Sequence, residues 1–499
     1  MDILDGLATV LGSPALIGWV ALAALAGTVV GAIPGLTASA AIAMLLPLTF
    51  HMEPLSALAF LYVIGKSGRY GGSIAAILFN TPGTAASAAT QIDGHPLARR
   101  GLAGKAMKVA TVSSVIGDFT GDLLLIAFVG TIAALALKLG PPELFGVYVA
   151  AFVVIGSVIG ESPARGLASA AIGVLVATVG FDPITGVPRF TFGTYELADG
   201  VGLVPLMIGV FVIGEVLVQV ERPTERPEPV ASDPARDGLT WREYRPCLPH
   251  VVRSSFIGAF IGTLPGLGSA IAAFVAYGEG KRRAGNPEEW GRGALEGVAA
   301  PEAANNAVSG PSMAPLLTLG IPGSTIGAIL VGVFLVHGIQ IGPTLFLTNR
   351  ELVYSLFACG LLGIAMYGAF GYWGAAPLGR VVARVPPRTL YPLVLLIGVV
   401  AAYSARGSLF DVWVAIAAGA GGWAMRRHGL NPAAFVIAFV LAGGAEEALR
   451  QALLLSDAGA LIFLERPVAL GFLGLGALVL VLRARRRPDA VAAAAGARP

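Results

Sequence analysis

Four Pro-Gly dipeptides interrupt apolar sequence, at Pro34-Gly35, Pro82-Gly83, Pro265-Gly266 and Pro322-Gly323. Proline removes a backbone donor and clashes with the preceding helical turn, while glycine lets the chain reverse. Backbone freed in this way at membrane depth costs several kcal/mol unless protein or a polar cavity satisfies it. The breaks form two matched pairs. Gly27-Thr-Val-Val-Gly31-Ala-Ile-Pro34-Gly35-Leu36 recurs as Gly258-Ala-Phe-Ile-Gly262-Thr-Leu-Pro265-Gly266-Leu267, an offset of 231 positions. Asn80-Thr81-Pro82-Gly83-Thr84 is answered by Gly320-Ile321-Pro322-Gly323-Ser324, an offset of 240. A single break reads as a helix kink with polar groups capping it. Two pairs in the same order read better as two re-entrant hairpins whose tips meet near the midplane. Their half-helix N-termini would present N–H groups and a positive dipole end to a carboxylate.

Side chains beside the breaks suit that chemistry. Ser73, Asn80, Thr81, Thr84 and Ser87 in the first half, with Asn305, Asn306, Ser309, Ser324 and Thr325 in the second, could ligate carboxylate oxygens. With freed carbonyls they could hold Na⁺ instead. The candidate site in the first half is Gly35, Thr37, Ser73, Asn80, Thr81, Pro82, Gly83 and Thr84. In the second half it is Glu302, Asn305, Asn306, Gly320, Pro322, Gly323 and Ser324. Several charges sit in apolar surroundings. Asp118 and Asp122, one turn apart, read either as ligands of a coupling cation or as helix-end residues at an interface. Glu302 reads as an ion ligand or as the partner of a basic group. Lys66 and Arg69 precede the first hairpin and read as an anion attractor or as a snorkelling interfacial pair. Glu446 and Glu447 are expected at the outer end of a helix.

Enzyme signatures are weak. Gly65-Lys66-Ser67-Gly68 matches the short motif of an intramembrane serine protease, but no histidine stands out as its base. As a phosphate loop the segment fails, because Phe60 occupies the place of the leading glycine. His51, His95, His250, His337 and His428 have no metal spacing, and Cys247 and Cys359 belong to no CxxC cluster. Catalysis, a metal and a bound cofactor are therefore not expected.

The elements that must position these residues are membrane helices. Of 499 residues, 56% are hydrophobic and 13% charged, against roughly 25% charged in a soluble domain. The net charge of +3 is spread over loops, so nucleic acid is not an expected partner. A spanning helix needs ~20 apolar residues, and the chain predicts an all-α integral membrane protein with about 12 transmembrane or re-entrant segments. Residues 1–220 form a first membrane repeat with its hairpin region at 34–94. Residues 221–250, rich in Pro and mixed charge, form an aqueous linker. Residues 251–483 form a second repeat with its hairpin region at 265–340, and 484–499 a disordered tail. Basic residues at Arg99–Lys108, the linker, Lys281–Arg283, Arg380–Arg388, Arg426–Arg427 and Arg483–Arg487 mark the cytoplasmic side. Counting spans between them places the two Pro-Gly hairpins in opposite orientation, the signature of an inverted-topology repeat.

Several motifs carry a family resemblance. They are Gly31-Ala-Ile-Pro-Gly-Leu-Thr37, Tyr70-Gly-Gly-Ser-Ile74, Asp93-Gly-His-Pro-Leu-Ala98, Pro301-Glu-Ala-Ala-Asn305-Asn306-Ala, Pro315-Leu-Leu-Thr-Leu-Gly-Ile-Pro-Gly-Ser324 and His337-Gly338…Gly342-Pro343. Together they resemble the large membrane subunit of the tripartite tricarboxylate transporters, over about residues 15 to 480. The resemblance implies a secondary transporter in the bacterial inner membrane, multi-pass in the lipid bilayer with a cytoplasmic C-terminus. It implies a coupling ion, Na⁺ or H⁺, and a small membrane subunit of about four helices as partner. It also implies a periplasmic solute-binding protein that delivers an organic carboxylate. Citrate-like, dicarboxylate and aromatic carboxylate substrates all fall within that family. Two departures, Ile341 in place of an expected proline and the basic run Lys66-Ser67-Gly68-Arg69, leave the choice among them open. A passive anion channel and an intramembrane protease are the competing readings.

Overall fold

The computed structural model describes residues 2–485, apart from 35, 159–161, 183–184, 222–229, 231–235, 383–386 and 458. Among them the structure is helical, with one two-stranded ribbon pairing Gly180–Phe181 with Pro188–Arg189. The chain gathers into two compact units. One takes the chain up to Leu137 and Gly202–Ala424, the other Lys138–Val201 and the chain from Met425 onward. Each unit therefore draws on both sides of the polar linker.

The first unit contains helices α1 (Ile3–Leu11), α2 (Pro14–Ala32), α3 (Ala38–Leu45), α4 (Pro54–Phe79), α5 (Ser87–Leu97) and α6 (Ala103–Ala136). In the second unit lie α7 (Pro141–Val158) and α8 (Pro163–Ala177). The first unit resumes with α9 (Leu203–Glu221), α10 (Leu248–Gly262), α11 (Gly268–Arg283), α12 (Leu295–Ala307), α13 (Met313–Leu319) and α14 (Thr325–Val336). It continues through α15 (Arg350–Val382), α16 (Pro387–Ser404) and α17 (Leu409–Arg427). Finally α18 (Pro432–Leu454) and α19 (Pro467–Arg485) complete the second unit.

Among the described residues, five helical stretches are long and apolar enough to cross a membrane: Pro14–Ala32, Ser87–Ala136, Leu203–Glu221, Arg350–Ala375 and Pro432–Leu454. A sixth arises if Gly459–Glu465 and Pro467–Arg483, bent by 88°, count as one span. That is about half the number the sequence predicts. Proline and glycine cut the remaining apolar sequence into helices shorter than the ~20 residues a single span needs, among them Ala38–His51, Pro163–Ala177 and Thr325–Val336.

Glycines set the packing of the first unit, as small residues do wherever membrane helices approach closely. On α2, a Cβ at Gly31 would lie 2.3 Å from the Gly68 carbonyl oxygen of α4. On α6, Cβ atoms at Gly117 and Gly121 would meet the Ala303 and Ala307 carbonyl oxygens of α12 at 2.1 and 2.4 Å. On α10, Gly258 approaches the Ala304 oxygen in the same way, at 2.4 Å. Helix α12 is thus held on two sides by backbone-to-backbone contact.

Much of the predicted linker and residues 486–499 of the predicted tail lie outside the described residues. The described end of the linker docks on the start of α6. Asp237 accepts from the Gly104 amide at 3.0 Å, and its carbonyl accepts from Lys108 Nζ at 3.0 Å. Glu243 caps a one-turn helix from Thr240 and pairs with Lys105. The Lys105 hydrogen bond, with the Thr240 donors, lowers the Glu243 carboxyl to about 2.

In the second unit, Glu446 lies two turns inside α18 rather than at its end, because Arg189 and Arg450 neutralise it there at 2.8 and 2.6 Å. Asp182 pairs with Arg450 in the same cluster, at 2.5 Å.

Candidate functional site

In each half, the helix leading into the second Pro-Gly break ends on a left-handed residue. Asn80 (φ 55°) closes α4 and Gly320 (φ 70°) closes α13, 240 positions apart. Glycine adopts this conformation freely and asparagine more readily than most residues. The glycine that follows is seated alike in the two cases. Gly83 donates its amide to the Gly72 carbonyl at 3.2 Å, and a Cβ there would lie 2.5 Å from the Gly31 oxygen. A Cβ on Gly323 would face the Ser312 and Gly262 oxygens, at the looser distances of 3.5 and 3.8 Å. Gly72 and Ser312 differ by the same 240 positions, and Gly31 and Gly262 by 231, the two offsets of the repeated motifs.

Most side chains at these tips are already committed to capping. Thr37 accepts from the Ala40 amide at 3.2 Å and Ser324 from the Gly327 amide at 3.1 Å. Thr84 and Ser87 bond one another and each other's backbone at the start of α5. Thr81 donates to the Phe79 carbonyl at 3.2 Å, and Asn80 Oδ1 accepts from Gln91 at 2.7 Å. Pro82 and Pro322 shape the turns and carry no polar side chain. Gly35 lies outside the described residues.

The other predicted residues lie together in a buried polar seam of the first unit, with Ser73 next to the Gly72 carbonyl that receives the Gly83 amide. Glu302 on α12 is fully buried. Its Oε1 accepts from Ser73 of α4 at 2.5 Å and from Thr90 of α5, and its Oε2 from Ser114 of α6 at 2.8 Å. One carboxylate thus ties four helices with neutral donors. Asn306 Nδ2 donates to Ser114 Oγ at 2.8 Å. Asn305, 1% exposed, has no hydrogen-bond partner for either side-chain polar atom among the described residues, and Asn306 Oδ1 has none either. Nearby, Arg69 of α4 is buried, with one long bond of 3.5 Å from Nη1 to the Asn305 carbonyl.

Further along the same face of α6 lie the charges. Ser114, Asp118 and Asp122 recur every four residues, which stacks them along one side of a helix. Lys66 of α4 is fully buried and places Nζ 2.6 Å from Asp118 Oδ1 and 2.9 Å from Asp122 Oδ1. Tyr367 of α15 donates to Asp118 Oδ2 at 3.1 Å, and Tyr62 to Asp122 Oδ1 at 3.5 Å. Asp122 Oδ2 is buried with no partner among the described residues. Tyr70, stacked on Tyr367 with ring centroids 5.9 Å apart, bonds Thr111 one turn before Ser114.

Two sequence readings are corrected here. Lys66 and Arg69 do not snorkel to an interface. They face inward, because α6 and α12 supply their partners. Asp118 and Asp122 are not helix-end residues either; they sit in the middle of α6, one of the membrane-capable stretches. Ser67, the serine of the protease-like motif, donates to the Val63 carbonyl at 2.9 Å. No group of three or more His, Cys, Asp or Glu among the described residues is placed to hold a metal ion. Tyr62, Thr90, Ser114 and Tyr367 were not singled out from the sequence. The four-residue spacings Tyr62–Lys66 and Ser114–Asp118–Asp122 could have drawn attention to Tyr62 and Ser114, whereas Thr90 and Tyr367 carry no such signal.

A second conserving device steadies α12. Asp93, from the Asp93-Gly94-His95-Pro96 motif, accepts at Oδ1 from the amides of Gly291, Gly293 and Ala294 at 2.8–2.9 Å. Its Oδ2 accepts from Tyr277 at 2.9 Å. The loop that launches the Glu302 helix is thereby anchored to α5.

Comparison with known proteins finds relatives over most of the chain. The family model described as "Tripartite tricarboxylate transporter TctA family" matches residues 17–437. The "Uncharacterized 52.8 kDa protein in TAR-I ttuC' 3'region" of Agrobacterium vitis is 36% identical over 475 residues, 94% of this chain and 93% of that protein. The "Uncharacterized protein in TAR-II ttuC' 3'region" of the same organism is 36% identical over 230 residues, 45% of this chain and 93% of its own length. No solved structure matches the chain. With the family motifs spread over nearly its whole length and its membrane-capable helices, this multi-pass membrane protein belongs to the tripartite tricarboxylate transporter TctA family, and is a subunit of such a transporter.

Proposed function

We propose that the chain is the ion-gradient-driven translocating subunit that imports a tricarboxylate or related organic carboxylate across the bacterial inner membrane. The observation that carries the carboxylate is Arg69 beside Asn305. A guanidinium buried without a carboxylate partner among the described residues is costly. An amide with both ends uncommitted lies on the residue whose carbonyl it approaches. Guanidinium and carboxylate match as a two-point fork, and the amide supplies one donor and one acceptor more. The Pro-Gly turns, seated alike in the two halves, support a pair of inverted-topology hairpins within about twelve segments, moving against the remaining helices. The tripartite family supports the two partners: a small membrane subunit and a periplasmic binding protein that delivers the substrate. Basic loops on one side support a cytoplasmic C-terminus.

The test is uptake of radiolabelled citrate-like, dicarboxylate and aromatic carboxylates by proteoliposomes holding the chain and its small partner subunit, with and without binding protein. Saturable uptake that needs the binding protein is the expected result. Flux that neither saturates nor responds to any ion gradient would establish a channel instead. Absence of any carboxylate uptake by the assembled complex would remove the substrate class.

A further inference from the structure

We infer that Asp122 is the site of the coupling ion, and that this ion is a proton carried on Asp122 Oδ2. The inference rests on the transporter reading above.

The argument starts from charge. Lys66 faces two carboxylates, Asp118 and Asp122, and all three side chains are at most 2% exposed. With both carboxylates ionised the triad has a net charge of −1. The next cation along the seam, Arg69, bonds the Asn305 carbonyl and neither carboxylate of the triad, though its charge is felt at Asp118, and Glu302 is held by hydroxyls. Burying an uncompensated charge is among the largest penalties a protein can incur, and such a group is neutralised where it can be. A carboxylate substrate entering beside Arg69 adds further negative charge to the same interior. One added cation brings the triad itself to zero charge.

The surroundings of Asp122 select which cation. Asp118 Oδ1 receives Lys66, and its Oδ2 receives Tyr367. Asp122 Oδ1 receives Lys66 and Tyr62. Asp122 Oδ2 alone is left without a partner. The position beside it, where a Cβ on Gly360 of α15 would project, is bordered by a Tyr62 ring carbon at 2.9 Å and Lys66 Cε at 3.2 Å, with Oδ2 itself at 3.1 Å. A hard metal cation needs a shell of several oxygens. Here the two other atoms nearest that position are carbons. A proton needs one oxygen lone pair. Protonation converts the Asp122 carboxylate to the neutral acid, leaves Lys66 paired with Asp118, and brings the triad to zero charge. The groups that face Asp122 are Lys66 and Tyr62 from α4, Asp118 from its own helix, and Tyr367 from α15 by way of Asp118. Arg69 and Glu302 lie further along the seam. Ionisable side chains inside membrane helices commonly serve proton relays, and this one has an open acceptor on a helix that touches the substrate-facing residues through Ser114.

The experiment compares two fluxes in the same proteoliposomes. Exchange of labelled for unlabelled substrate without a gradient reports binding and reorientation. Accumulation under an imposed proton gradient, with Na⁺ absent, reports coupling. In the wild-type chain a proton gradient alone drives accumulation. In Asp122→Asn the ratio of gradient-driven accumulation to exchange falls at least tenfold, and the apparent affinity for substrate loses its pH dependence. Asp122→Glu retains coupling with a displaced pH profile. Proton uptake on substrate addition to detergent-solubilised wild-type protein, followed with a pH dye, needs no variant and is expected to be positive. Wild-type accumulation that follows a Na⁺ gradient at clamped pH and ignores a proton gradient would overturn the inference. So would an Asp122→Asn protein that still accumulates substrate with the wild-type pH profile. Absence of exchange in the wild-type protein would instead count against the transporter reading itself.

Discussion

Glu302 of α12 and Asp122 of α6 are both buried carboxylates of one seam, Glu302 meeting α6 at Ser114, two turns before Asp122, yet they are stabilised in opposite ways. Glu302 has three hydroxyl donors from Ser73, Thr90 and Ser114 and no cation within the seam's ion pairs. Asp122 has a cation, a second carboxylate competing for it, and one oxygen with nothing bound. Hydroxyls can rotate and act as donor or acceptor, so the Glu302 cluster tolerates a change of charge state without losing its connectivity. In the Lys66 triad a change of charge state at Asp122 removes one of the two ion pairs of Lys66 and leaves the other, to Asp118. A carboxylate that staples helices is saturated with neutral donors, and one that exchanges a ligand keeps an atom free.

Lys66→Gln leaves two adjacent buried carboxylates without a cation, and breaking a buried pair costs about 3–5 kcal/mol. Thermal unfolding of the detergent-solubilised protein should show it as the most destabilised of the set. Adding Asp122→Asn to that variant should recover part of the loss. If the single variant is as stable as wild type, the triad is not held by charge. Arg69→Gln removes charge-assisted bonds of about 1.5–3 kcal/mol from the substrate, a weakening of roughly ten- to a hundredfold. Saturation curves for uptake should show it in KM, whereas an unaltered KM would place the anion elsewhere. Glu302→Gln should cost less than Lys66→Gln, about 1–2 kcal/mol, since charged hydrogen bonds become neutral while the burial of a charge is relieved. A Glu302→Gln protein less stable than Lys66→Gln would reverse the contrast drawn above. Ser324→Ala removes an N-cap from α14 and should cost about 1 kcal/mol with KM unaffected. A larger effect on KM than on stability would restore Ser324 to the binding site.

The candidate site was legible in its residue types more than in its location. Glu302, Asn305 and Asn306 were identified from their cluster beside a break, and the seam contains all three. Thr37, Thr84 and Ser324 were identified on the same ground, and in the structure their hydroxyls cap helices. The two sets look alike in sequence because a hydroxyl next to a Pro-Gly turn is equally placed to bind a ligand or to receive the first free amides of the next helix. Which it does depends on φ and ψ at that residue.

The sequence by itself determined the membrane class, through an apolar excess that water-soluble domains cannot match, and the positions of the breaks, because Pro-Gly acts on the backbone locally. It also determined the family, since the motifs survive as contiguous strings. Only the tertiary structure decided that Lys66 is an interior cation rather than an interfacial one. Its partners lie 52 and 56 residues away on a different helix, and Glu302 meets Ser73 across 229 residues. Local sequence fixes where a helix bends. The charge balance of a buried seam depends on which helices close on one another, and here the glycine contacts of α2, α6 and α10 bring them together.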